Sequence, residues 1–124
     1  MANQVLFTGF IGNEDLAAIY SGCELFVLPS LEEGFGLSAL EAMACGAPVA
    51  ATNRAAVPEV VGQAAVLFDP EDVASIGEAM ERVLSQDELR ERLRQQGLRR
   101  AGEFTFERSA ERVLTLLREV GRLR

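Results

Sequence analysis

The sequence predicts an α/β fold, a parallel sheet of about four strands flanked by helices, forming a partial Rossmann-like unit that ends in a helical C-terminal region. Three observations predict it. Short apolar runs of strand character recur at 5–8, 25–28, 48–51 and 65–68, each followed by a turn signal. Helical apolar spacing fills the gaps between the first three runs, and strands alternating with helices imply parallel pairing through right-handed crossovers. From Leu84 onward the pattern is helical to the end.

The elements follow in chain order. Val5–Thr8 reads as the first strand, and Asn13 as the N-cap of a helix running through Ala17 and Ile19 to about Tyr20. Leu25–Leu28 is a buried strand, and the run from Ser38 to Cys45 is a helix that Gly46 stops. Pro48–Ala51 and Ala65–Phe68 are the next strands. Asp69-Pro70 reads as N-cap and first helical residue of a helix carrying Val73, Ile76, Met80 and Val83 on one face. Asp87 is placed as the cap of a helix with Leu89, Leu93 and Gln96 at helical spacing. Thr105 is placed as the cap of a last one whose face is Phe106, Ala110, Val113, Leu114 and Leu117. At 124 residues the chain is one domain, a β/α core over 5–70 followed by helices over 71–122.

Composition excludes several function classes. Apolar residues make up 48%, which suits a packed core and argues against disorder. A net charge of −7 argues against a nucleic-acid partner. Histidine is absent, and Cys23 and Cys45 lack metal-ligand spacing, so they read as buried free thiols and no zinc site can be built from them. No apolar run reaches the length of a membrane span, and no signal-peptide pattern opens the chain. Every basic residue is arginine, and Arg54 is the only one before Arg82. Arg90, Arg92, Arg94, Arg99 and Arg100 read as a solvated face bridged to nearby glutamates rather than as a basic patch for lipid phosphates.

The chemistry concentrates in Pro29-Ser30-Leu31-Glu32-Glu33-Gly34-Phe35-Gly36-Leu37-Ser38-Ala39-Leu40-Glu41. Carboxylates flank a Gly-Phe-Gly turn, with seven residues between Glu33 and Glu41. A strand, a glycine-rich turn and a helix N-terminus in succession make an anion site, because backbone N–H groups converge there and glycine admits a ligand close to the chain. A phosphate-bearing small molecule fits that description.

Residues 5–120 resemble the C-terminal part of a retaining, nucleotide-sugar-dependent glycosyltransferase with the two-domain GT-B fold, of the family 4, group 1 type. The blocks that carry the resemblance are Val5–Gly9, Leu25–Ser30, Glu33–Leu37, Leu40–Val49 and Val57–Gly62, in the family's order and spacing. The run from Asn53 to Pro70 is most similar to the mannosyltransferase-like branch that builds bacterial surface polysaccharides. The resemblance implies transfer of a hexose from a GDP- or UDP-hexose donor to a saccharide or lipid-linked acceptor. It implies no metal or cofactor besides that donor substrate, and an enzyme that is cytoplasmic or, at full length, membrane-peripheral. Glu33 is then the catalytic residue, positioning the sugar and stabilising positive charge on its ring. The competing reading is an exposed loop carboxylate beside Glu32. Gly34, Phe35, Gly36 and Leu37 would offer backbone N–H groups to the distal phosphate and sugar. Phe35 and Leu37 also suit plain core packing. Glu41 would accept hydrogen bonds from the ribose, but Ser38-x-x-Glu41 is equally a capping box, at a position where the family usually has proline. Ser38 is therefore both a donor-site candidate and a cap candidate. Gly9-Phe10-Ile11 matches the turn whose main chain meets the nucleobase, which adds Phe10 and Ile11 to the donor site. Asn53-Arg54-Ala55-Ala56 stands where many relatives have Gly-Gly, which puts close backbone approach there in doubt.

Against the family, the chain begins at what matches the third strand of the donor domain. The acceptor domain, the first two strands and the Arg/Lys loop that neutralises the donor diphosphate have no counterpart, and no lysine replaces them. In the order 3-2-1-4-5-6 the first two strands separate the third from the fourth. Val5–Thr8 must then slide in beside Leu25–Leu28, pair with another chain or detach. The expectation is an altered sheet order or a homodimer through the exposed edge, and a chain that folds and self-associates without chemistry is the alternative to an active enzyme.

Overall fold

The computed structural model describes residues 4–32 and 35–104 and, of the C-terminal stretch, residues 110, 113–115, 117–118 and 121. The chain is an α/β unit with a three-stranded parallel sheet: β1 (Phe26–Leu28), β2 (Val49–Thr52) and β3 (Val66–Phe68), in the order β1-β2-β3. Register pairs Phe26 with Val49 and Leu28 with Ala51, then Ala50 with Val66 and Thr52 with Phe68. β2 is central and buried at every residue, which is why its sequence (VAAT) is apolar throughout instead of alternating.

The helices are α1 (Asn13–Gly22), α2 (Leu37–Ala44), α3 (Val57–Val61), α4 (Val73–Ser85) and α5 (Asp87–Gly102). α1, α2 and α3 build the main core with one side of the sheet, around Tyr20, Leu40, Met43, Val49, Val57 and Val61. Ala79 of α4 meets Ala50 and Phe68 on the other side, and Val83 joins Leu89 and Leu93 of α5. The C-terminus of α2 closes as predicted: Gly46 takes φ +82°, its N–H bonds Met43 O at 3.0 Å and the Ala47 N–H bonds Ala42 O at 3.0 Å. That is the double closure of a left-handed glycine cap.

Four expectations are corrected. Val5–Thr8 is no strand; Leu6 and Phe7 are exposed, and the sheet keeps its simple order among the described residues. It does not join the free edge of β1, so its extended backbone gains no ladder and strand propensity alone does not hold it. The caps shift by one to three residues. Gly12 is the N-cap of α1 in place of Asn13, its carbonyl accepting from the Leu16 N–H at 2.9 Å. Gln86 flanks α5, and Asp87 becomes its first residue, ion-paired to Arg90. Asp72 replaces Asp69 as the cap of α4, accepting from the Ala74 N–H at 3.0 Å. Asp69 is committed elsewhere: its Oδ1 accepts from the Glu71 N–H at 3.0 Å and from Arg54 at 3.1 Å. Val73, in the first turn of α4, is exposed, so the buried stripe of that helix runs through Ala79 and Val83. Thr105 and Phe106 lie outside the described residues; Ala110, Val113, Leu114 and Leu117 are helical but exposed, so the apolar face predicted there is not buried among the described residues.

Candidate functional site

The connection from β1 to α2 lies at the C-terminal end of the sheet's strands, where open α/β sheets bind ligands. Glu33 and Gly34 lie outside the described residues. The structure places Phe35, Gly36, Leu37, Ser38 and Glu41 together at the start of α2. Gly36 is the N-cap, with φ +85° and ψ +33°, and its carbonyl accepts from Ala39 N–H at 3.1 Å. The left-handed backbone requires glycine here. It also has a neighbour behind it: a Cβ on Gly36 would stand 3.4 Å from Cγ2 of Val57, the first residue of α3. Leu37 and Ser38 occupy the first turn, where backbone N–H groups have no intrahelical acceptor and face the positive end of the helix dipole.

The competing capping box does not form. Ser38 is already inside α2, and no side chain caps the helix. A residue in the second helical position no longer has the extended backbone that a capping hydroxyl needs. The Glu41 carboxylate is left exposed, with no hydrogen bond or ion pair to any described residue.

Glu41 instead lines a cleft of about 340 Å³ between α1 and α2, together with Asn13, Leu16, Ala17, Tyr20, Ala44 and Cys45. Tyr20 is buried and stacks edge-on against Phe26, ring centroids 5.3 Å apart. Burial pushes its phenol above the ordinary value, and the nearby Glu41 carboxylate adds to the push. Cys23, whose Sγ–H donates to the Tyr20 carbonyl at 3.3 Å, is likewise raised, mainly by burial. Asn13, Ala17 and Tyr20 fall on one face of α1, and Glu41, Ala44 and Cys45 on one face at the end of α2. That helical spacing was available in the sequence; that the two faces meet was not. Of the remaining candidates, Phe10 is almost fully exposed and Ile11 half-buried, in the irregular segment before α1.

Cations are scarce around this site. Arg54, at the end of β2, is committed to Asp69 and Glu71, both at 3.1 Å. Ala55, in the segment where the resemblance implies glycines, takes φ +54°, a left-handed backbone on a residue with a Cβ. Of the arginines on α5, Arg94 and Arg100 pair with glutamates as expected, at 3.8 Å to Glu91 and 2.7 Å to Glu103. Arg100 does more, donating to the carbonyls of Val60 at 2.8 Å and Glu59 at 2.6 Å. No cluster of three or more potential metal-ligating side chains occurs among the described residues.

Comparison with known proteins places this arrangement among relatives. Residues 1–100 match the family described as Glycosyl transferases group 1. The chain is 42% identical over 108 residues to the serotype-specific mannosyltransferase WbdA of Escherichia coli, covering 87% of this chain and 13% of that protein. It is 42% identical over 103 residues to the O-antigen chain mannosyltransferase B of the same organism, covering 83% of this chain and 27% of that one. The chain therefore spans about a quarter or less of the length of these relatives. Among solved structures, sucrose-phosphate synthase from Thermosynechococcus elongatus superposes with a TM-score of 0.84 at 32% identity, over 98% of this chain and 31% of that one. The C-terminal domain of a group 1 glycosyl transferase, LpcC, from Francisella tularensis superposes with a TM-score of 0.69 at 32% identity, over 77% and 51%.

Proposed function

The chain belongs to the group 1 glycosyl transferases, and we propose that it supplies part of the donor site of a retaining enzyme that moves a hexose from a nucleotide diphosphate sugar to a saccharide or lipid-linked acceptor. The bond from the anomeric carbon to the diphosphate breaks, and a bond to an acceptor oxygen forms with the same configuration. In this reading the N–H groups at Phe35, Gly36, Leu37 and Ser38 receive the distal phosphate and sugar. Glu33 orients the sugar, and Glu41 accepts hydrogen bonds from the ribose. Phe10 and Ile11 would present main chain to the nucleobase. Mannose is the sugar that the names of the two mannosyltransferase relatives support, and a GDP- or UDP-hexose is the donor class. The compartment that fits such a donor is the cytoplasm.

One observation carries the proposal: the carboxylate of Glu41 stands exposed, with no partner among the described residues, in a nucleoside-sized cleft of about 340 Å³. A carboxylate with free acceptor capacity suits a pair of vicinal hydroxyls. The test is calorimetric titration of the chain with GDP-mannose and UDP-glucose, repeated on Glu41→Ala. Saturable binding of one conjugate is expected, weakened about tenfold in the variant, the loss of one charge-assisted hydrogen bond. Binding that Glu41→Ala leaves unchanged would remove Glu41 from the site.

A second reading, a non-catalytic unit that self-associates as a homodimer, is favoured by a separate observation. Val5, Leu6, Phe7 and Phe10 are between 56% and 97% exposed, and β1 is an edge strand of the sheet. Sedimentation of the chain across a concentration series separates the two: a dimer that binds neither conjugate favours this reading.

A further inference from the structure

Two supports converge on the loop that opens α2, and both lead to one guanidinium on α5. The first is Val57, which begins α3 and whose Cγ2 would stand 3.4 Å from a Cβ built on Gly36. The carbonyls of Glu59 and Val60, in that same short helix, accept from Arg100 at 2.6 Å and 2.8 Å. The second support is Phe104, just past the end of α5. Its ring meets the Phe35 ring edge-on, centroids 5.9 Å apart and planes at 76°. The guanidinium of Arg100 lies over the Phe104 ring, 4.9 Å from its centroid.

We propose that Phe104 and Arg100 are positioning residues of the donor loop, holding Phe35 and Gly36 in the geometry that presents the first N–H groups of α2 to the donor phosphate. The inference rests on the donor-site reading above. Its physical basis is independent of that reading. Phe35 is half exposed, so the loop has little core to anchor it on that side, and the Phe104 ring is its aromatic partner among the described residues. Phe104 is itself packed against the main core, so it carries the rigidity of that core to the loop. Arg100 couples the supports: its donors fix α3, which carries Val57, while its face fixes Phe104. A cation stacked on an aromatic ring and donating to two helix-terminal carbonyls has few other orientations, so the arrangement is pre-organised. In this proposal each acts through the loop and not on the ligand directly.

The test titrates the full chain with GDP-mannose and UDP-glucose, comparing Phe104→Leu, Phe104→Tyr, Phe35→Leu and the double variant Phe35→Leu/Phe104→Leu. Urea denaturation identifies conditions in which every variant is fully folded. Phe104→Leu is expected to weaken donor binding about two- to tenfold, the range of one aromatic pair. Phe104→Tyr keeps the ring and is expected to restore affinity. The double variant should be no weaker than Phe104→Leu alone, since both substitutions remove the same contact. Additive losses, or full affinity in Phe104→Leu, would overturn the proposal. Should Phe104→Leu fail to fold, Phe35→Leu carries the test from the exposed side of the same contact, with the same loss expected and unchanged affinity overturning it. A chain that binds neither conjugate overturns the donor reading itself. The positioning claim is then decided by NMR: Phe35 ring resonances that move in Phe104→Leu support it, and unmoved ones overturn it.

Discussion

Ala55 carries a cost that its neighbours do not. Its φ of +54° is left-handed, where a Cβ crowds the following carbonyl. The family resemblance places glycine in this segment, and this chain has alanine at the left-handed position. Relief of the strain, about 1–2 kcal/mol, outweighs the extra entropy an unfolded glycine gains, about 0.4–1 kcal/mol. Ala55→Gly is therefore expected to stabilise the chain by about 1 kcal/mol, read as a higher urea midpoint at unchanged slope. A lower midpoint would mean the side chain contributes more than its strain costs. Glu41 shows the opposite relation between sequence and structure. Ser38-x-x-Glu41 is a valid capping pattern that competes with a ligand role for Glu41, but Gly36 starts the helix two residues earlier and the box does not form. What decides between the two is a backbone angle at Gly36, which no spacing rule specifies.

Among the elements, α2 and α5 show how much packing hangs on one small residue. Gly97 is buried on α5, and a Cβ there would stand 3.1 Å from Cγ of Met43 and 3.4 Å from its Cβ. The two helices approach closely because Gly97 offers no side chain. Gly97→Ala adds helix propensity worth about 1 kcal/mol, and the flexible Met43 side chain can yield a few tenths of an ångström, so the net effect is expected to be near zero. Gly97→Leu cannot be absorbed that way and is expected to destabilise by about 1–3 kcal/mol in urea or thermal unfolding. Equal stability of the two variants would show that the helices separate readily. The strands at 26–28, 49–52 and 66–68 were legible to within a residue, because buried parallel strands read as short apolar runs. The caps of α1, α4 and α5 were less so. Gly12/Asn13, Asp69/Asp72 and Gln86/Asp87 each offer neighbouring candidates, and which one caps depends on where the preceding turn closes.

At the scale of the whole molecule, Tyr20 and Cys23 make stability depend on alkaline pH. Both groups are raised in the folded chain, each by burial first, above ordinary values of 10.0 and 9.0. The unfolded chain therefore releases these protons first as pH rises. The stabilisation is fully present below pH 9.0 and is lost as pH climbs through the folded values. Urea midpoints should fall above that point, and Tyr20→Phe should fall less steeply at the alkaline end. Parallel declines in both proteins would exclude Tyr20 as a source. The sheet itself was predicted one strand too large, because Val5–Thr8 has strand composition but no partner. Composition reports what a segment can do inside a sheet; only topology says whether a neighbour exists.

The reach of Arg100 from α5 to α3 also has a consequence for how the fold comes apart. α3 is five residues long, too short to persist on its own, and its last carbonyls are held by a side chain forty residues away in sequence. Fraying at the end of α5 withdraws that side chain, so it also releases α3 and with it the wall behind Gly36. Hydrogen exchange at the α3 amides is therefore expected to follow the opening of a distant helix end, the two regions behaving as one cooperative unit.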